Sequence, residues 1–289
     1  MLWQQTSDTP PSARMASLVP SLQPNQRRVV EAIMADRAAA AEGTAQELAE
    51  HVGVGRTTVI RAAQSLGYDG FPQLRVALVH EMALDQPVDI ASGSEASSML
   101  GQLRTRITNY SSTLATASSA LTEELLHECI RALDEAGRVL VVAHGLSSPL
   151  GLDLVQRLNS AGRSAEMQLD PVTEQITARQ LGSGSVCFCY SGSGANKATL
   201  DTMHAAKRGG AQVIAMTSFA GSAVTETADV ALVVPPTTDS FQDELMRTSR
   251  ATLMLITEQL VDLLTTYRGE RGREALLTSL SMIGDSLRE

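Results

Sequence analysis

Two loops in the second half of the sequence combine glycine with serine and could bind an anion. The first loop (residues 143–148) reads Ala143-His144-Gly145-Leu146-Ser147-Ser148, and the second loop (residues 190–196) reads Tyr190-Ser191-Gly192-Ser193-Gly194-Ala195-Asn196. Each loop follows an apolar, strand-like run and opens a helical pattern. The N-terminus of a helix presents unpaired N–H groups and the positive end of its dipole, and serine hydroxyls add donors. The pair of loops therefore predicts a site for a phosphate-bearing ligand.

The elements that must position these loops alternate after residue 122. Five apolar runs predict strands joined by helical crossovers, which is typical of an open parallel sheet covered on both faces. Ligands bind such sheets beyond the carboxyl ends of the strands, where both loops begin. A dinucleotide fold is a poorer match, because no G-x-G-x-x-G run opens the first crossover and no Walker A loop is present. The predicted strands cover residues 138–143, 164–169, 186–190, 212–217 and 230–234.

The first part of the chain carries the pattern of two short helices separated by a tight turn. Thr44 and Glu47 form a capping-box signature that opens a helix over residues 45–51. Gly53 can take the left-handed conformation that the turn requires. A second helix follows over residues 55–66, and such a pair is typical of a helix-turn-helix domain.

Charge and composition limit the class of protein. The fractions of 43% hydrophobic and 19% charged residues are typical of a globular protein. The formal net charge of −9 argues against a protein that coats nucleic acid in general. Local charge decides specific DNA binding, and residues 51–68 contain Arg56 and Arg61 but no carboxylate. No apolar run could span a bilayer and no secretory signal is evident, so we expect a cytoplasmic protein without a membrane partner. The three cysteines predict buried thiols rather than disulfides or metal ligands.

The pattern divides the chain into five segments. We predict a flexible lead-in over residues 1–22, a helix-turn-helix domain over 23–85, a linker over 86–98, a connecting helix over 99–121 and an α/β domain over 122–289. The connecting helix carries an a/d seam, which fits either a helix packed on its own domain or a helix in a dimer interface. Both alternatives bury the same stripe, and both stay open. The seam consists of Leu100, Leu103, Ile107, Tyr110, Leu114, Ala117 and Leu121.

Both parts of the chain resemble RpiR-type transcriptional regulators. Residues 24–84 resemble their helix-turn-helix domain, and residues 122–266 resemble their sugar isomerase (SIS) domain. The resemblance implies the fold class α + α/β: an all-helical N-terminal helix-turn-helix domain joined to a C-terminal α/β/α sandwich with a five-stranded parallel sheet. The runs that carry it are Glu47-Leu48-Ala49-Glu50, Gly53-Val54, Thr57-Thr58-Val59-Ile60-Arg61, Leu66-Gly67-Tyr68-Asp69-Gly70-Phe71, Gly145-Leu146-Ser147, Tyr190-Ser191-Gly192, residues 206–217 and Ala228-Asp229-Val230.

The resemblance also implies two sets of contact residues. The helix over residues 55–66 would enter the major groove of double-stranded operator DNA, as the recognition helix of a homodimer or a dimer of dimers. A phosphorylated sugar effector would be held in the α/β domain by Ser147 and Ser191, and no cofactor, metal or catalytic residue is implied. The expected DNA contacts are Arg56, Thr57, Thr58 and Arg61, and the expected effector contacts are Gly145, Ser147, Ser148, Ser191, Gly192 and Ser193.

The sequence departs from the family pattern at three positions of the two loops. Ala143 stands where the first loop usually begins with glycine. Cys189 stands where a serine often precedes the second loop. Gly194 stands where a serine or threonine usually adds a hydroxyl.

SIS domains also occur in aldose–ketose isomerases, so a phosphosugar isomerase is the alternative function. Isomerisation needs a base near the substrate, and Glu174, His204 and Glu244 are available. Their spacing assigns none of them to the site, and we expect surface or helix-face positions for all three. An isomerase would have no use for residues 24–84. The sequence therefore favours a transcription regulator of a carbohydrate-metabolism operon.

Overall fold

The computed structural model describes residues 10–85, 98–114, 116–235 and 250–286. The chain divides into two compact units: residues 1–106 with 238–247, and residues 107–237 with 248–289. In the part of the chain that the structure describes, no helix is both long and apolar enough to cross a membrane.

The described part of the first unit is helical. Its apolar core includes Val30, Ile33, Val59, Leu74 and Leu78, all fully buried. The helices are α1 (Pro11–Leu18), a 3-10 turn (Val19–Ser21), α2 (Pro24–Ala35), α3 (Arg37–Glu42), α4 (Ala45–Val52), α5 (Arg56–Ser65), α6 (Phe71–Asp85) and the first part of α7 (Met99–Leu114).

The structure differs from the flexible lead-in predicted over residues 1–22. Residues 1–9 lie outside the described residues, but α1 is an ordered helix whose Met15 is fully buried. Pro11 occupies the first helical position, where the missing N–H costs no hydrogen bond, so the proline starts a helix instead of breaking one. The Ser12 N–H donates to the Glu81 carboxylate, and the Arg14 guanidinium lies 5.1 Å from the centre of the Tyr68 ring.

The connecting helix is shorter than the predicted residues 99–121. Helix α7 ends at Leu114, and the chain turns over residues 116–120. The Ala117 N–H donates to the Leu114 carbonyl oxygen at 3.1 Å. Serine and threonine, which compete with the helix for backbone hydrogen bonds, are frequent in this stretch and favour the turn. Of the predicted linker over residues 86–98, all but Ser98 lies outside the described residues.

The second unit is a five-stranded parallel sheet in the order β2-β1-β3-β4-β5. All five predicted strands are confirmed, and with them the predicted fold class. The predicted closing helix over residues 241–267 is described only from Ala251, because residues 236–249 lie outside the described part. The elements are α8 (Glu123–Glu135), β1 (Arg138–Ala143), a 3-10 turn (Gly145–Ser147), α9 (Ser148–Ser160), β2 (Ala165–Met167), α10 (Pro171–Arg179), β3 (Ser185–Tyr190), α11 (Lys197–Gly209), β4 (Gln212–Thr217), α12 (Ala223–Thr227), β5 (Val230–Val233), α13 (Ala251–Tyr267) and α14 (Glu270–Ser286).

Helices cover both faces of the sheet. Alternate residues of each strand point to opposite faces, so Val139 and Val141 join one core with α8, α9 and α13. Leu140 and Val142 join the other core with α10, α11 and α12. Cys187 and Cys189 both lie in this second core, fully buried, as the strand period predicts. The sheet is therefore shielded on both sides and leaves its strand ends for ligand binding.

Candidate anion-binding crevice and nucleic-acid interface

The two glycine–serine loops begin side by side at the carboxyl end of the sheet. Ala143, the last residue of β1, pairs with Tyr190, the last residue of β3, so both strands end at the same level. We call the space beyond these two strand ends, bordered by the first and second loops, the crevice. In the first loop, Gly145 has a φ of 57°, and the Ser147 N–H donates to the His144 carbonyl oxygen at 3.1 Å. This tight turn starts α9 and leaves Ser147 only 4% exposed.

The second loop is held against the neighbouring strand β4. The Ser191 N–H donates to the Met216 carbonyl oxygen at 3.1 Å, and the Ser218 N–H donates to the Gly192 carbonyl oxygen at 3.4 Å. The Ser191 side chain is buried, and its hydroxyl has no hydrogen-bond partner among the described residues. A buried hydroxyl without a partner costs free energy that a bound ligand can recover.

The remaining serine hydroxyls of the loops are used locally. The Ser148 hydroxyl donates to the Ala143 carbonyl oxygen at 3.2 Å. The Ser193 hydroxyl oxygen accepts from the Ala195 N–H at 3.4 Å. Ser148 and Ser193 therefore shape the two loops, whereas Ser191 keeps its hydroxyl for another partner.

Arg250 is a residue of the crevice that the sequence did not point to. It precedes α13, and its guanidinium packs directly on Gly192, leaving no space for even a Cβ at that position. The contact joins residues 58 positions apart, so no local sequence pattern predicts it. It brings a permanent positive charge to the second loop, which otherwise contains no cationic side chain.

The three departures from the family pattern have structural reasons. Gly194 has a φ of 67°, and a Cβ there would collide with the Ser222 side chain, so the structure has no space for a hydroxyl-bearing residue. A Cβ at Gly151 would lie 2.8 Å from the Ala143 methyl group. Because residue 151 of α9 is glycine, residue 143 can be alanine instead of the usual glycine. The Cys189 thiol lies in the core on the α10–α12 face, where burial raises its pKa well above the ordinary value.

A buried polar network lies behind the first loop. His144 Nε2 is 3.3 Å from Glu174 Oε1, and His144 Nδ1 is 3.0 Å from Thr199 Oγ1. The Thr202 hydroxyl donates to the same Glu174 oxygen at 2.7 Å. Glu174 was expected at a surface or helix-face position; it lies on helix α10, but its side chain is buried, with only 1% exposed. The hydrogen bond from Thr202 of α11 and the contact with the His144 ring compensate its burial. His204 is exposed on α11, as expected, and Glu244 lies outside the described residues.

The helices α4 and α5 form the predicted helix-turn-helix pair. Thr44 and Glu47 make both hydrogen bonds of a capping box, and Gly53 adopts the left-handed conformation with a φ of 70°. The N-cap of α5 is Gly55, which has no side-chain oxygen to satisfy the first N–H groups of the helix. This helix N-terminus therefore keeps donors that an external phosphate could use.

The four expected DNA-contact residues lie in the first two turns of α5. Thr57 and Arg61 are exposed, and Arg56 and Thr58 are half-buried. Thr57 and Thr58 are not caps, since Gly55 holds that position. The opposite side of α5 is buried in the core through Val59, Ala62 and Ala63. This packing fixes which face the helix presents outward.

Comparisons with known proteins agree with this architecture. Residues 12–85 match the helix-turn-helix domain of the rpiR family, and residues 132–261 match the SIS domain. The chain is 24% identical over 250 residues to an uncharacterized HTH-type transcriptional regulator of Haemophilus influenzae, covering 84% of this chain and 86% of that protein.

Two solved structures are similar in fold. The Vibrio vulnificus NanR protein complexed with ManNAc-6P aligns with a TM-score of 0.77 at 18% identity, over 96% of this chain and 100% of that one. The sugar isomerase domain of an RpiR transcription factor from Sphaerobacter thermophilus aligns with a TM-score of 0.54 at 22% identity, over 64% of this chain and 99% of that domain.

A helix-turn-helix domain followed by a SIS domain defines a class of transcription regulators. The two matched domains cover most of the chain in the order that this class requires. The chain belongs to the RpiR-type transcriptional regulators.

Proposed function

We propose that this regulator controls a carbohydrate-metabolism operon, binds operator DNA through α5 and responds to a phosphorylated sugar bound in the crevice. The observation that carries the sensing half is the Ser191 hydroxyl, which is buried and has no partner among the described residues. It lies between the end of β3 and Gly192, on which the Arg250 guanidinium packs. A hydroxyl donor and a guanidinium beside one loop are suited to an anionic oxygen.

The first loop adds to the donors of the crevice, and a related structure indicates the class of ligand. The first loop adds the N-terminal end of α9 and the buried Ser147, so donors approach from two adjacent strand ends. NanR of V. vulnificus, which shares this fold, was solved with ManNAc-6P. That complex supports a phosphorylated sugar as the class of ligand. We assign Ser147 and Ser191 as its hydroxyl contacts because both are buried at adjacent strand ends. Gly145 gives a ligand close access to the backbone, Gly192 makes room for the Arg250 guanidinium, and Ser148 and Ser193 hold the loops in shape.

The DNA-binding half uses the outward face of α5. Arginine reads guanine edges in the major groove through two parallel hydrogen bonds, which makes Arg61 the base-reading candidate. Arg56, Thr57 and Thr58 lie at the helix N-terminus, where hydroxyls and N–H groups suit phosphate oxygens. Because the net charge is −9, binding depends on this local face and not on the overall charge.

A regulator without isomerase activity fits the crevice better than an enzyme does. Glu174 is buried, accepts a hydrogen bond from Thr202 and lies 3.3 Å from His144 Nε2, which keeps it from acting as a base on a substrate. His204 is exposed on the helix α11 and lies two turns beyond its N-terminal end. Glu174 therefore lacks the accessibility, and His204 the position near the loops, that proton abstraction from a bound substrate requires.

A homodimer fits the apolar residues that α7 leaves exposed. Leu100, Leu103 and Ile107 are between 54% and 59% exposed, although the helix is anchored further on by the Tyr110 hydroxyl, which bonds to Thr252. The seam therefore divides into an exposed first half and a packed second half. We assign the first half to contact with a second copy, so that two α5 helices address a near-palindromic operator.

The sensing half is tested by a thermal-shift screen of phosphorylated sugars and sugar acids on the full-length protein. A binding ligand raises the melting temperature with concentration. For the ligand that emerges, Ser191→Ala is expected to weaken binding about 10-fold to 150-fold, from the roughly 1.5–3 kcal/mol of a hydrogen bond to a charged group. Ser183→Ala, an exposed serine at the opposite end of β3, is the matched control. Equal binding by Ser191→Ala and wild type would remove Ser191 from the site.

The DNA-binding half is tested by fluorescence anisotropy, with a labelled DNA fragment from the region upstream of the gene as probe. Arg61→Ala is expected to abolish sequence-specific binding and to leave the thermal shift by the effector intact. Arg131→Ala removes the same charge from an exposed position on α8 and should bind the probe as wild type does. Retained specific binding by Arg61→Ala would exclude Arg61 as a base-reading residue. Turnover of a sugar phosphate by the purified protein at enzyme-like rates would instead support an isomerase.

A further inference from the structure

The His144 side chain connects the first loop with the helix that follows the second loop. His144 lies directly after β1, and its ring is held on both nitrogens: Nδ1 contacts Thr199 of α11, and Nε2 contacts Glu174 of α10. The Glu174 carboxylate oxygen 3.3 Å from Nε2 can accept a hydrogen bond from an Nε2–H group. The ring is 19% exposed, and the Glu174 side chain beneath it is 1% exposed.

Thr199 continues this connection into the second loop. Its N–H donates to Asn196 Oδ1 at 3.0 Å, and its hydroxyl lies 3.3 Å from the same oxygen. Asn196 is both the last residue of the second loop and the N-cap of α11. The His144 ring is thus connected through Thr199 to Asn196, the residue that ends the second loop.

We propose that His144, oriented by Glu174, is a positioning residue that holds the two loops at the separation required for effector binding. The inference rests on the proposed function of the crevice. His144 itself does not contact the effector in this scheme, because both ring nitrogens are already engaged within the protein. Its role is to keep the Gly145–Ser147 turn fixed relative to the N-terminus of α11.

The physical basis is the fixed geometry of the buried carboxylate. Glu174 also accepts a hydrogen bond from the Thr202 hydroxyl of α11, so its position is held before His144 is considered. A buried acceptor fixed in this way defines the position of the donor that approaches it. Loss of the imidazole removes the hydrogen bond to Thr199, frees the first loop and leaves the buried Glu174 carboxylate without its contact to Nε2.

Substitutions at His144 separate a positioning role from simple packing. His144→Ala is expected to weaken the binding of ManNAc-6P and of inorganic phosphate about tenfold in calorimetry, because the hydrogen bond to Thr199 and the contact with Glu174 are both lost. His144→Gln can place an amide N–H where Nε2 lies, so it should bind within about threefold of wild type. His204→Ala on the exposed side of α11 is the control. Operator affinity without effector should stay unchanged in all three variants.

A double-mutant cycle tests the pair itself. Glu174→Gln keeps an acceptor oxygen for Thr202 but removes the carboxylate. If the two residues act as a unit, adding Glu174→Gln to His144→Ala causes little further loss of affinity. Fully additive losses would show that His144 and Glu174 act independently and would overturn the proposal.

A second readout needs no effector, so failure of the proposed function and failure of this inference can be told apart. Hydrogen exchange of the free full-length protein should be faster at the amides of residues 145–148 in His144→Ala and close to wild type in His144→Gln. If His144→Ala does not fold, Thr199→Val removes the hydroxyl that Nδ1 contacts and should give the same loosening. Unchanged exchange in a folded variant contradicts the inference, whether or not either probe ligand binds.

Discussion

The contact between Arg250 and Gly192 leads to a prediction about a single methyl group. A Cβ at Gly192 would overlap the Arg250 guanidinium, so Gly192→Ala must displace that side chain from the second loop. The φ of Gly192 lies outside the left-handed region, and the backbone therefore accepts alanine without strain. The expected effect is on effector binding rather than on folding.

The magnitude follows from what the guanidinium supplies. One charge-assisted hydrogen bond to an anionic ligand contributes about 1.5–3 kcal/mol, so Gly192→Ala should raise the effector Kd roughly 10-fold to 150-fold. Arg250→Ala should cause a loss of the same size. The double variant should be no worse than either single one, because the methyl group acts only by moving the arginine.

The assay is calorimetric titration of the full-length protein with the sugar phosphate that gives the largest thermal shift. Gly182→Ala is the matched control, since a Cβ there meets nothing within 4 Å and the residue lies in the loop before β3. It should bind as wild type does. An unchanged Kd for Gly192→Ala, with Arg250→Ala also unchanged, would refute the assignment of Arg250 to the crevice.

Three further predictions concern stability and reactivity. Arg75 donates to the carbonyl oxygens of Ala41 and Glu42 at 2.8 and 2.9 Å, and burial lowers its pKa to about 10, so it stays charged at neutral pH. Arg75→Met should therefore reduce the free energy of unfolding by about 2–4 kcal/mol in urea titration, and a change below about 0.5 kcal/mol would contradict this role. Hydrogen bonds from Thr44 hold the pKa of Glu47 below its usual 4.5. The stabilisation that these bonds give the folded state is therefore complete above pH 4.5 and is lost as the pH falls through the lower folded-state pKa. Thr44→Ala should cost about 1 kcal/mol at pH 7, because it removes the hydroxyl oxygen that accepts from the Glu47 N–H. Glu47→Ala should also destabilise the protein at pH 7 and less so in acid, whereas an equal loss at both pH values would argue against the capping box. Burial raises the pKa of the Cys129 thiol to about 12, and Cys187 and Cys189 are equally buried. Ellman's reagent at pH 8 should detect almost no thiol in the native protein and three per chain in guanidinium, and fast native labelling would show that the core opens.

Much of the architecture could be predicted from local pattern. The five strands lie where the apolar runs place them, because strands buried on both faces need continuous apolar sequence. The capping box of Thr44 and Glu47 and the left-handed Gly53 depend on residues within a few positions of one another. The same holds for the two loops, since a parallel sheet brings its carboxyl ends to one edge and so places Ser147 and Ser191 at one crevice.

The tertiary structure decided the features that depend on distant residues. Arg250 reaches Gly192, and Glu174 is buried under His144, through contacts that no spacing in the sequence announces. Helix α1 forms where a flexible lead-in was predicted, because Met15 finds a place in the core and Ser12 finds Glu81. The sequence by itself determined where strands, caps and loops occur, since those depend on periodicity and short-range hydrogen bonds. Only the packing of the whole fold decided which side chains are buried, which are paired and which bring charge to the crevice, because burial depends on residues far apart in the sequence.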